Sequence, residues 1–149
     1  MYDRPLQTPA APHLVVLSDG RNEQAPRSEQ LTISTAAAYG CAIVVMLRGQ
    51  LDLKTVRQAC DALSVHVAAG ARRVVIDLSC LQFMAVAGTR ALLETQTLLM
   101  ARGGSMALAC PQPLVARVLQ LTGIDQQIPV YSTIAGAVRG RVPMPSRAP

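Results

Sequence analysis

The chain of 149 residues contains no tryptophan, one phenylalanine (Phe83) and three tyrosines (Tyr2, Tyr39 and Tyr131). Binders of single-stranded nucleic acid need aromatic platforms for stacked bases, and groove readers need a concentrated basic face. The net charge of +5 comes from thirteen arginines and one lysine, but within residues 31–140 nine cations are scattered among five carboxylates. No nucleic-acid partner is expected. Long apolar runs are also missing. The longest, "CAIVVML" (Cys41–Leu47), has seven residues, where a bilayer crossing needs about twenty. "LVVL" at Leu14–Leu17 is too short for the apolar region of a secretory signal. The expectation is a cytoplasmic chain without membrane insertion.

The four cysteines, at 41, 60, 80 and 110, include no CxxC pair and no neighbouring histidine couple. Zinc sites depend on such short-range ligand pairs, so no metal is expected. In a reducing compartment the four thiols read as small hydrophobes. Catalysis is equally ill provided for. His66 is the one histidine of the central region, and it falls on a helix away from the strand ends, as a surface or structural residue. Nucleophile elbow, P-loop and dinucleotide fingerprint are all absent. Asp52 and Asp77 lie near strand ends without an acid–base partner, and a reacting centre needs its groups within mutual reach. Neither enzymatic activity nor a cofactor is expected.

What is present is a core-forming chain, 50% hydrophobic by composition, long enough for one domain. Residues 1–28, rich in Pro, Ser, Ala and Gln, read as a flexible arm, and 141–149 ("RVPMPSRAP") as a flexible tail. The folded unit is expected over 29–140. "LTIST" (Leu31–Thr35) alternates like an edge strand, and the run from Cys41 reads as a strand buried on both faces. Asp52 can then cap a helix with the stripe Leu53, Val56, Cys60, Leu63 and Val67. The strand "RRVVIDLS" and a helix from about Gly88 to Arg102 follow. "SMALAC", the helix "LVARVLQLTG", the strand "IPVYS" and a helix on "TIAGAVRG", with Ser132 as its cap, complete the order β-β-α-β-α-β-α-β-α. That order implies an α/β fold, with a mainly parallel sheet of about five strands and four helices.

Between the third strand and its helix lies "FMAVAG" (Phe83–Gly88), without a polar side chain. Together with "LRGQLDLKTV" (Leu47–Val56), "VVIDLSCLQFMAVAG" (Val74–Gly88) and the C-terminal half from Ala101 to Val138, it resembles the STAS domains of anti-sigma factor antagonists. The resemblance covers essentially all of residues 30–140. It implies a non-enzymatic switch that binds an anti-sigma factor, typically a kinase-like ATPase, and is turned off by phosphorylation of the second serine in a D-S-S-G turn. Here Ala85 stands for the aspartate, Val86 for the first serine and Ala87 for the phosphorylated one, and only Gly88 is kept. The implied partner surface comprises Asp52, Phe83, Met84, Ala85, Val86, Ala87, Gly88 and Thr89, without the phosphosite. Asp52 matches the family's turn aspartate and is equally readable as a helix cap. Thr89, the nearest hydroxyl, reads as satisfying a backbone group.

Two other roles stay open: a STAS subunit docking on the ATPase of a lipid-importing ABC transporter, and a small-ligand or nucleotide sensor using the strand-end groove. A homodimer is a further possibility. In place of the missing phosphosite, Cys80 and Cys110, each ending one of two neighbouring parallel strands, are a candidate redox pair.

Overall fold

The computed structural model describes residues 15–17, 30–37 and 42–140. The expected tail and, apart from 15–17, the expected arm lie outside the described residues. One sheet of six strands runs in the order β1 (Val15–Leu17), β2 (Leu31–Ala37), β3 (Ala42–Leu51), β4 (Arg73–Met84), β5 (Ser105–Ala109) and β6 (Val130–Tyr131). The pairs β1–β2 and β2–β3 are antiparallel, and every later pair is parallel. Helices α1 (Val56–Ala68), α2 (Val86–Ala101), α3 (Pro113–Thr122) and α4 (Ile134–Arg139) provide the connections and the C-terminal cover. The expected mainly parallel α/β fold with four helices is found. The addition is β1, which lies outside β2, so "LTIST" is not the edge.

Two apolar clusters lie on the two faces of the sheet. The larger joins Leu31, Ile33, Val45, Leu47, Val74, Ile76, Leu78 and Leu108 to Ala59, Leu63 and Val67 of α1, Leu92 and Leu99 of α2, and Val115 and Leu119 of α3. The smaller, of Val44, Val75, Ala107, Ala109 and Tyr131, is covered by Ala137 of α4. Helix α4 is fastened by Arg73, whose Nε donates to Ala137 O at 2.8 Å while Nη1 donates to Ser105 Oγ at 2.9 Å. Its cap is Thr133, whose hydroxyl accepts from Gly136 N at 2.9 Å, rather than Ser132. In α1 the inward stripe contains Ala59, not Cys60, and Leu53 is 79% exposed in the turn ahead of the helix.

The central departure concerns β4. It continues five residues beyond Ser79, because β3 runs alongside it as far as Leu51 and supplies a ladder partner. Met46 stands opposite Asp77 but Arg48 opposite Cys80, and Gly49 stands opposite Leu81 but Gln50 opposite Phe83. Each step puts one extra residue into β4, as a bulge does, which bends a strand and redirects its side chains. Phe83 and Met84 are therefore strand, and α2 begins at Val86, two residues earlier than the periodicity predicts. One residue, Ala85, makes the turn.

Candidate partner-binding site

The parallel strands deliver their C-terminal ends to one edge of the sheet, the usual place for function in such folds. At that edge β3 hands over to α1 through Asp52–Thr55, and β4 hands over to α2 through Ala85. The Ala85 N–H donates to Leu51 O at 2.8 Å, so the two handovers are bonded to each other.

The Asp52 turn is a closed local network. Asp52 Oδ1 accepts from the N–H groups of Lys54 (2.9 Å) and Thr55 (3.1 Å), while Asp52 N–H donates back to Thr55 Oγ1 at 2.9 Å. The Thr55 hydroxyl donates onward to Gln50 O at 2.9 Å. Asp52 thus caps the turn that feeds α1, whose own N-cap residue is Thr55. Reciprocal side-chain and backbone bonds of this kind satisfy donors that a helix start leaves open.

At the second handover the N-cap is Ala85, which has no side chain to accept from the first turn of α2. Val86 is 61% exposed and Phe83 40%, and Ala85 and Ala87 are half-buried. With Leu53 they make a small apolar rim around the strand ends. Met84, Gly88 and Thr89 do not belong to it. Met84 lies in the core, and Gly88 is buried where a Cβ would stand 2.8 Å from Leu51 Cδ2. Thr89 is 3% exposed and its hydroxyl donates to Val86 O at 2.7 Å. These three expected surface residues are corrected to packing positions, drawn inward because α2 starts directly on Leu51 and Met84.

Cys80 and Cys110 lie just beyond the last β4–β5 pair. The β4–β5 ladder ends with Asp77 opposite Ala109, which leaves Cys80 three residues past that pair and Cys110 one. The extra residue that β4 carries between Asp77 and Cys80 takes up one of those steps, leaving an offset of about one residue, about 3.3 Å. Both thiols are free, and Cys110 Sγ instead donates to Ser132 O at 3.4 Å. Burial pushes the Cys110 thiol up, as does the nearby Asp77. His66 is a structural residue as expected, its Nε2 3.3 Å from Thr35 Oγ1 of β2. Asp77 is structural too, being buried with Oδ1 accepting from Ser79 N at 3.0 Å.

Sequence reasoning missed one feature of this edge. Between α1 and α2, running down from Ala87, is a groove of about 350 Å³ lined by Val56, Arg57, Cys60, Ala87, Arg90, Ala91 and Glu94. Only the i, i+3 and i+4 spacing of Arg57–Cys60 and Ala87–Ala91–Glu94 hints at it, because its two walls lie about thirty residues apart.

The fold is thus a mostly parallel six-stranded sheet with a small apolar rim, beside Asp52, at its strand ends. The STAS domain family model matches residues 32–137, and the chain belongs to that family. An anti-sigma F factor antagonist of Paenibacillus polymyxa is 29% identical over 93 residues, covering 62% of this chain and 70% of that protein. Among solved structures, the unphosphorylated anti-sigma factor antagonist SpoIIAA is 25% identical, covering 74% of this chain and 99% of that one, with a TM-score of 0.63. The crystal structure of an anti-sigma factor antagonist from Mycobacterium paratuberculosis covers 91% of this chain and 97% of that one at 24% identity, with a TM-score of 0.64. Among the described residues no helix is long and apolar enough to cross a membrane.

Proposed function

We infer that this chain is a non-enzymatic binding module that engages an anti-sigma factor through the strand-end rim, and so regulates sigma-dependent transcription without phosphoserine control. One observation carries the reading. The turn before α2 keeps its glycine and its bond to β3, while the position matching the family's phosphoserine is Ala87, half-buried in the first turn beside exposed Val86. Thr89 offers no substitute, since its hydroxyl is buried and already bonded. The surface proposed for the partner is Asp52, Leu53, Phe83, Ala85, Val86 and Ala87.

The test is a pair of substitutions at Ala87, with binding to a purified kinase-like anti-sigma factor measured by calorimetry. Ala87→Ser adds one oxygen where helix-start N–H groups are unpaired, so stability shifts by less than about 1 kcal/mol and affinity changes little. Ala87→Glu also folds, because negative charge near a helix start is favourable by about 0.3–1 kcal/mol. In a desolvated interface its unmatched carboxylate costs about 2 kcal/mol or more, roughly a thirtyfold loss of affinity. Equal binding by the parent and Ala87→Glu would remove the rim from the interface. Binding to a transporter ATPase in place of any anti-sigma factor would replace the partner class.

A further inference from the structure

The groove between α1 and α2 is continuous with the rim through Ala87 but differs from it in charge. Its floor is Val56, Cys60, Ala87 and Ala91, and its charged groups are ordered along its length. Arg57 and Arg90 occupy the half nearer the strand ends, one on each wall. Glu94 lies one turn further down α2, and Asp61 one turn further down α1. All four side chains are exposed. The Cys60 thiol between them registers this layout. It is pushed up by burial first, then by Glu94 and Asp61, and drawn back by Arg57.

We propose that this groove receives an amphipathic segment of the protein partner, seating an apolar side chain on the Cys60–Ala91 floor and a carboxylate between Arg57 and Arg90. The order of charges sets the direction: the acidic end of the segment lies toward the rim, and a basic group is accommodated beside Glu94 and Asp61. Two guanidiniums facing each other across a channel suit a carboxylate, which accepts from their planar donors. A cation brought to the same place would meet like charge. The inference rests on the rim being the partner surface and adds the chemistry of the segment that extends past it.

The test uses the full chain, isotope-labelled for NMR, and two synthetic helical peptides with the same leucine face. One carries glutamates at its first turn and lysines at its last, and the other has the two sets exchanged in position. The first should shift the backbone signals of Cys60, Ala87, Arg90 and Ala91, and bind at least tenfold more tightly than the second at low salt. Arg57→Gln with Arg90→Gln should weaken the first peptide about tenfold. Arg90→Glu with Glu94→Arg keeps the net charge and improves the helix pairing order, so it should fold while abolishing the preference between peptides, because each half of the groove then holds one cation and one carboxylate.

Equal binding of both peptides, failure of the first to bind, signal changes confined to other surfaces, or a preference unaltered by the charge swap would overturn the proposal. So would concentration-dependent shifts of the same signals without peptide, accompanied by a dimer in sedimentation, since the occupant would then be a second copy. Failure of the rim reading looks different. There, Ala87→Glu leaves anti-sigma factor affinity intact while the peptides still sort by charge order. Loss of charge sorting with the Ala87→Glu effect intact removes the groove alone.

Discussion

Replacing Gly88 by alanine probes why the turn before α2 has its shape. Gly88 occupies the third position of the helix and does not use the left-handed backbone region that glycine alone favours. Its reason is space. A Cβ there would stand 2.8 Å from both Cγ and Cδ2 of Leu51, and 3.2 Å from Cγ of Met84. Leu51 and Met84 are core residues, so neither side chain can swing into solvent. Forcing a methyl into a filled core costs about 1–3 kcal/mol. The greater helix propensity of alanine returns at most about 1 kcal/mol. The expected net loss is about 1–2 kcal/mol, read as a urea midpoint lower by roughly 0.5–1 M at unchanged slope. Leu51→Ala alone costs about 2–5 kcal/mol, but it vacates the volume the new methyl needs. On that background Gly88→Ala should be neutral or stabilising, giving a coupling of about 1 kcal/mol or more between the sites. If Gly88→Ala melts like the parent, or costs as much with Leu51 absent as with it present, close approach is not why glycine sits there.

Two further substitutions test the scaffold away from the rim. Burial lowers the pKa of His66, so the folded state prefers the neutral ring; stability should be full above the unfolded value of about 6.5 and fall as pH drops through the lower folded value. His66→Gln should flatten that segment of a stability–pH curve, and an unchanged slope would remove His66 as its source. Arg73→Met takes away the donors to Ala137 O and Ser105 Oγ at the start of β4, the end of the sheet opposite the rim. Chemical denaturation should show a loss of about 1–3 kcal/mol while calorimetry shows partner affinity within about twofold; a large affinity loss would link the two ends of the sheet.

The order of elements was legible because each one carries its own period. The buried run in β3, the stripe through Leu63 and Val67, and Pro113 at the start of α3 are local signals that the tertiary structure leaves standing. What escaped was set by neighbours. Nothing local says that β4 should absorb Phe83 and Met84; the ladder offered by Gln50 and Leu51 does so. The three residues of β1 form too short a run to announce a strand, and they are one because Thr35–Ala37 lie beside them. Cys60 fits a helical stripe at steps of three and four, yet the fold puts Ala59 inward and Cys60 on the groove floor. Of the expected surface, Met84 and Gly88 went inward for the same non-local reason, since both lie against Leu51 of β3. The groove itself was invisible, because no window of sequence contains both of its walls.

The turn before α2 divides into parts that the core dictates and parts that it does not. Gly88 is dictated by Leu51, and the Ala85 N–H is held by Leu51 O. Thr89 is dictated too, because its hydroxyl satisfies Val86 O inside the first turn. Adding a phosphoryl group to that hydroxyl would require the donor bond to break and the helix start to open, placing a dianion where apolar side chains now pack. The side chains of Ala85, Val86 and Ala87 are under no such demand. A serine at Ala87 would meet unpaired helix N–H groups, and a polar residue at Val86 would be free to reach water. Val86, Leu53 and Phe83 are all exposed at this point. They place apolar area where the sheet's own packing asks for none, and this is the area that the proposed partner surface uses.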